Sequence, residues 1–350
     1  MRNTASQLSL TISVAERRFI NNNSQFTIHN SQFTITMISD FGEGWVGSPI
    51  ERWLVIFLKS GVLFWIGGLA AWLWHTDADL LSLWHHFMTA DIKPVQALLL
   101  IFILMLLLAM VASILKRFDF SVLRFLEGYG WPQWLRTKLM QRQARALKTQ
   151  RERLKQLAQQ AKSHPLTAKE QAEYIRLDWQ LMCIPYESTQ LMPTRLGNLL
   201  RAIELKPRIR YGLDAIICWP HLWLVLPEEV KIEIVKARHQ LDTAVRIWMW
   251  SVLFLIWGYW AWWAIPLGLI AALLDYHWIL QAAKTYGHLV EASFNLHRHS
   301  LYRALDWPIP ENPEQEKAHG EQLTRYLFRG LPPTRINKAS TPKGELTINH

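Results

Sequence analysis

Residues 245–274 read VRIWMWSVLFLIWGYWAWWAIPLGLIAALL, thirty positions that hold a single charge, Arg246. As one helix this block would be about 45 Å long at about 1.5 Å per residue. The hydrocarbon core of a bilayer is about 30 Å thick. Trp260, Trp262 and Trp263 cluster in its middle and Pro266 follows them. Trp concentrates at membrane interfaces, so the cluster marks a chain reversal there. The block is read as a tight hairpin of two spans, about 245–263 and 265–284.

Two more blocks reach span length. One is Trp53 to Trp74, WLVIFLKSGVLFWIGGLAAWLW, started by Ser48-Pro49 as cap and first helical residue. Its Gly67 and Ala71 form a small-xxx-small pair that allows close helix packing, although ordinary Gly and Ala content explains them equally well. The other is about Val95 to Leu115 and carries no charge. The 75–94 loop between them holds Asp77, Asp79 and Asp91 against Lys93. The segment 116–243 opens with Lys116-Arg117 and stays basic to Lys162. Lys284, Arg298, Arg303, Arg325 and Arg329 follow the last block. By the positive-inside rule those basic segments are cytoplasmic. The reading is an all-α membrane protein with four transmembrane helices as two hairpins, in 37–115 and 244–285, and a helical cytoplasmic domain between them. Both termini are expected inside, in a bacterial inner (cytoplasmic) or internal membrane.

Composition agrees. The chain has 350 residues, half of them apolar, with 19 Trp, a net charge of +10 and a pI near 9.6. That excludes a chain disordered throughout, and the clustering of the apolar residues excludes a simple soluble globule. A basic balance fits either nucleic-acid binding or cytoplasmic loops, and the apolar blocks favour the loops. Cys183 and Cys218 show no paired spacing, so neither a disulfide framework nor a Cys-based zinc site is indicated. Both are expected to resist a membrane-impermeant thiol reagent in intact cells and to react after lysis. Residues 1–36 repeat the hexapeptide Asn23–Ile28 as Asn30–Ile35, at a period of seven. The repeat is read as translated DNA ahead of a start at Met37, with a disordered or strand-prone tail as the other reading. No apolar signal-peptide core precedes Trp53.

The cytoplasmic part divides in two. Trp134 to Lys162, within 116–162, has nine Lys/Arg, one acid (Glu152) and no Gly or Pro, and reads as a helix. Leu147, Leu154 and Ala161 fall seven apart with Leu157 between, but Gln143 and Gln150 are poor seam residues, so a coiled coil is only partly supported. Three uses compete for this helix: packing on its own domain, lying on anionic lipid headgroups, or contact with an acidic partner. Nucleic acid is disfavoured because no aromatics interleave with the cations. The candidate contacts are Arg142, Arg145, Lys148, Arg151 and Lys155. Residues 163–243 read as a helical module. Pro193-Thr194 starts one of its helices and Pro227-Glu228-Glu229 starts another, which runs on into the third block. Ala215 to Leu226 is apolar but too short to span, and Pro220 interrupts it. It is either core or an interfacial segment. Within 286–329 the fourth span continues as helix to about Ala304, Trp307-Pro308-Ile309-Pro310 breaks it, and Pro313 to Phe328 forms a short helix. The tail 330–350 reads as disordered.

At PTRLGNLLRAIE, YGLD, WPHLW and LPEE the chain resembles a family of uncharacterised bacterial polytopic membrane proteins. The runs FNLHR with Leu301-Tyr302, Leu323–Leu327 and Arg329-Gly330 carry the same likeness. It covers roughly residues 190–330. The resemblance implies that this half is the shared module, and it brings no activity with it.

Candidate chemistry is sparse. Asp275 lies about ten residues into the fourth span, where a carboxylate costs about 2.5–3.5 kcal/mol on insertion scales. Its candidate partners are His277 and Lys59, and Lys59 can equally snorkel to the inner headgroups. Asp275 is then interfacial, structurally paired, or part of an ion or proton pathway. His75, Asp77, Asp79, His85 and His86 lack the His-xxx-His spacing of a helix-face metal pair and read as an exposed loop. His297 and His299 fall on opposite helix faces. No phosphate-binding loop, dinucleotide fingerprint, nucleophile elbow or zinc-protease motif is present. No catalytic, cofactor-binding or metal residue is therefore assigned. The reading is an integral membrane protein for interaction or assembly, with the lipid bilayer and a protein partner or a second copy of itself as partners. The alternatives are an oligomeric channel or transporter using Asp275 and Lys59, and a membrane-embedded enzyme without a recognisable motif.

Overall fold

The structure is a computed structural model that describes residues 61–76 and 94–330. The expectations for residues 1–36, for Lys59 and for the tail past Gly330 fall outside those residues. The described residues are helical, with no strand among them. In chain order the helices are α1 (Val62–Thr76), α2 (Pro94–Lys116), α3 (Asp119–Glu127), α4 (Gln133–Ser163), α5 (Ala168–Met182), α6 (Arg195–Tyr211), α7 (Ala215–Val225), α8 (Glu228–Leu253), α9 (Ala264–Ala304) and α10 (Pro313–Arg329). Three helical stretches are long and apolar enough to cross a membrane: Val95–Lys116, Glu228–Tyr259 and Ala264–Ala304.

The chain turns back between α8 and α9. A 3-10 stretch, Phe254–Tyr259, tightens the end of α8, and Trp257 stacks on Trp260 with centroids 5.3 Å apart. Pro266 falls in the first turn of α9, where its missing N–H leaves no intrahelical bond unmade. The two helices then run antiparallel. Gly258 meets Ile265, Ser251 meets Asp275, and Arg238 lies over the Tyr286 ring, so residue numbers fall on one helix as they rise on the other. The ring of Phe64, in the first turn of α1, packs on Trp250 and Trp257 at 5.2 and 4.9 Å, and the Trp257 indole donates to the Phe64 carbonyl at 3.0 Å. Gly67 and Gly68 leave room for the Phe254 and Trp257 rings. The small residue Gly67 thus admits an aromatic side chain, not a second backbone. In contrast, α2 has no buried residue in its apolar window.

Two cores hold the rest. One joins α3, α6, α8 and α9 through Leu123, Leu126, Leu196, Leu199, Leu241 and Ile279. The other surrounds α7, whose Cys218, Trp219, Leu222 and Trp223 are buried against Phe294 and Tyr302 of α9 and Leu323 of α10. The Ala215–Val225 segment is therefore core, and helix continues through Pro220. Local signals set the starts. The Asp214 side chain accepts from the Ile216 and Ile217 N–H groups, the Thr194 hydroxyl accepts from Gly197 N–H, and Thr167 with Glu170 forms a capping box.

The coiled-coil reading of α4 finds no support among the described residues. Its buried Leu147 and Leu157 lie on the side turned to its own chain, and α5 packs beside it. Arg153 and Glu173 bridge the two helices with bonds of 3.2 and 3.0 Å.

A close backbone approach joins α6 to α10. Gly212 ends α6 at φ +72, and a Cβ on Gly320 would strike the Tyr211 carbonyl oxygen. Overpacking of this kind costs about 1–3 kcal/mol. Gly320→Ala should lower the thermal midpoint of the detergent-solubilised protein and make α10 the first site of proteolytic cutting. Unchanged melting and cutting would mean that α10 docks elsewhere.

Candidate functional site

Asp275 sits at the start of the fourth turn of α9 and is buried, at 4% exposure. Its partner comes from across the helix pair, where the Ser251 hydroxyl donates to Oδ2 at 2.5 Å. Gly268, two turns earlier, lets α9 approach the Ser251 carbonyl and Leu255. His277 is not the partner. It is exposed, and its Nε2 lies 2.9 Å from the Gln281 side-chain nitrogen one turn on. Two positions along a helix is about 200°, so Asp275 and His277 face opposite ways. Asp275 and Ser251 therefore form a polar clamp inside the α8–α9 contact. Such hydrogen bonds between membrane helices average about 0.6 kcal/mol.

Where α8 leaves the apolar block, its charges are buried and partnered. Arg246 makes a two-bond pair with Asp119 at 2.5 and 3.4 Å. Burial pushes the Asp119 carboxyl up, even with the Arg246 guanidinium against it. Two turns further, Arg238 is 8% exposed and pairs with Asp242 at 3.0 Å while lying over the Tyr286 ring. Glu127 and Glu204 complete the group. Burial, with help from the Glu204 carboxylate, pushes Glu127 up to about 8 against the pull of Arg238 and Arg124. Burial also raises Glu204, against its 3.1 Å pair with Arg201. This group was not singled out above. A visible signal existed, because Arg238, Asp242 and Arg246 fall four apart and so share a helix face.

Further from that level, Lys206 and Arg210 of α6 both hold Glu291 of α9, at 2.6 and 3.0 Å. Tyr211 bonds Asn295 at 2.8 Å and lies under the Arg298 guanidinium, which pairs with Glu316 of α10. His299 is 3.7 Å from the same Glu316, and His297 takes no part in this contact. These are joints between helices. No group of three or more His, Cys, Asp or Glu side chains among the described residues is placed to hold a metal. His75 is exposed at the end of α1, and Asp77, Asp79, His85 and His86 fall outside the described residues.

The candidate contact residues on α4 separate into two groups. Arg142, Arg145, Lys148 and Lys155 are exposed. Arg151 is not free, since it donates to the Pro185 and Tyr186 carbonyls at 3.2 and 2.5 Å and stacks on the Tyr186 ring. Lys138, not among the candidates above, is also exposed.

Comparison with protein-family models, curated proteins and solved structures finds no match to this chain. The resemblance noted for residues 190–330 rests on its motifs alone.

Glu127 makes stability fall as pH rises. The folded carboxyl keeps its proton to about 8, whereas the unfolded one loses it near 4.5, so the folded state binds more protons between those values. Glu127→Gln should flatten the pH dependence of the denaturation midpoint across that window and be more stable than the parent at its upper end. An unchanged slope would assign the dependence to another group.

Proposed function

We propose that this chain is a membrane-anchored platform whose cytoplasmic helical module binds a protein partner or a second copy. In this reading four helices cross the bilayer as two hairpins: α1 with the residues before it, α2, the apolar half of α8 and the first half of α9. The observation that carries it is continuity. Helix α8 runs from Glu228 in the module to Leu253, and α9 runs 41 residues, about 60 Å, from the apolar turn to Ala304. Neither has a hinge between the apolar stretch and the module core. The module is thus fixed to its anchor, which suits a docking body. The channel alternative draws on Asp275, but Ser251 occupies that carboxylate inside a two-helix contact. The motif resemblance supports residues 190–330 as the shared unit.

Two measurements test this. Purification in a mild detergent should give either a stoichiometric second polypeptide or a stable homo-oligomer. A chain that runs alone at 41.0 kDa overturns the platform reading. For orientation, half-exposed Cys183 should take a membrane-impermeant thiol reagent only after the cells are opened. Cys218 should stay unlabelled even then, because it is 0% exposed and burial pushes its thiol up to about 12. Labelling of Cys183 in intact cells would reverse the orientation.

A further inference from the structure

The geometry points to a lipid-binding face on α4: we propose that Lys138, Arg142, Arg145, Lys148 and Lys155 bind anionic lipid headgroups, with Trp134 set into the interface beside them. This rests on the reading of α2, α8 and α9 as membrane helices and adds the partner of a face that reading leaves open.

The face is one-sided. At about 100° per residue, Trp134, Lys138, Arg142, Arg145 and Thr149 fall within an arc of about 80°. Lys148 and Lys155 flank it, and Glu152 is its only acid. The buried Leu147 and Leu157 and the anchored Gln143 face away from it. None of these five cations makes an ion pair with a described residue, and no described residue covers them.

The height is also fixed. Along α9 the exposed side chains change from Leu273, Leu274 and Trp278 to Gln281 and Lys284. That change marks the edge of the apolar zone. Tyr276, at the same level, lies against the backbone N–H groups of Arg195 and Leu196 that open α6. The segment just before α6 holds α4. Gln143 donates to the Pro193 carbonyl at 2.7 Å and accepts from Asn198 at 2.6 Å, and Asn198 accepts from Met192 N–H at 2.8 Å. The middle of the basic face is therefore tied to the boundary level. Exposed rings of Phe118, Phe125 and Trp134, the last 69% exposed, follow the end of α2 along the chain up to the start of α4. Aromatic rings beside a row of Lys and Arg are what a helix lying in a headgroup layer presents. An acidic protein would match the cations but would not call for bare aromatics at the bilayer edge.

The test uses the full chain, with Cys183→Ser and Thr149→Cys carrying a nitroxide, in vesicles of phosphatidylcholine alone or mixed with phosphatidylglycerol. Thr149 is exposed in the middle of the face. With phosphatidylglycerol the label should become several-fold more accessible to oxygen relative to a water-soluble nickel chelate. That gain should vanish in a variant with Lys138, Arg142, Arg145 and Lys148 all changed to Gln, and at about 1 M salt, where the screening length falls to about 3 Å. Equal accessibility in the two lipids overturns the proposal and leaves the cations to an acidic protein. Resistance to alkaline extraction, measured on the same samples, separates the two ideas. A retained chain with an indifferent label sinks only the lipid face, whereas an extracted chain sinks the membrane anchor itself.

Discussion

The antiparallel contact between α8 and α9 positions almost everything else. α9 is the longest described helix, α8 follows it and α4 in length, and the two supply residues to both cores. At the turn end they offer Trp250, Phe254 and Trp257 to α1. In the middle they offer Leu241, Val245 and Ile279 to α3 and α6. At the far end Phe294, Leu301 and Tyr302 of α9 form the wall on which α7 and α10 pack. The pair can be this close because Gly268 puts no side chain where Ser251 and Leu255 approach, and Gly287 does the same for Ile203 of α6.

Charges placed in this contact are tolerated because each has company. Breaking a buried pair by removing one partner is far more damaging than replacing both. Arg246 with Asp119 ties α3 to α8, and Lys206 and Arg210 with Glu291 tie α6 to α9. The same logic reaches α10 through Arg298 and Glu316, and through Thr324, which accepts from Asp214 N–H and donates to the Gly212 carbonyl. A few polar atoms lack such company. The Tyr302 hydroxyl and the Trp307 indole N–H are buried without a partner, which places a local energetic weakness where α9 ends.

The sequence made local features legible and left distant ones hidden. The all-helical class follows from apolar periodicity and from the scarcity of strand and hairpin signals. The turn could be read at Trp260–Trp263 because Trp and Pro act where they stand. Helix starts at Thr194 and Pro227 are likewise properties of two or three neighbouring residues. Pairings across space left no such trace. Ser251 stands 24 residues from Asp275, and its only sign was an ordinary Ser in an apolar run. His277, close to Asp275 in sequence, faces the other way because two positions along a helix point apart. Arg151 looked like its neighbours in a basic row, yet the Pro185 and Tyr186 carbonyls hold it. The α4 stripe resembled a seam for another chain because a heptad pattern does not say which helix fills it.

Helix α9 is also a lever. In the proposed placement its first half lies among lipid tails and its second half carries the wall for α7 and α10. A straight rod about 60 Å long moves its free end by about 10 Å when it tilts by about 10°. Bilayers of different thickness impose tilts of this order on spans that do not match them. Without a break along its 41 residues, α9 turns a change in membrane thickness into a displacement of the module surface. In that placement the thickness of the bilayer and the position of the α7 and α10 wall are mechanically linked through one helix.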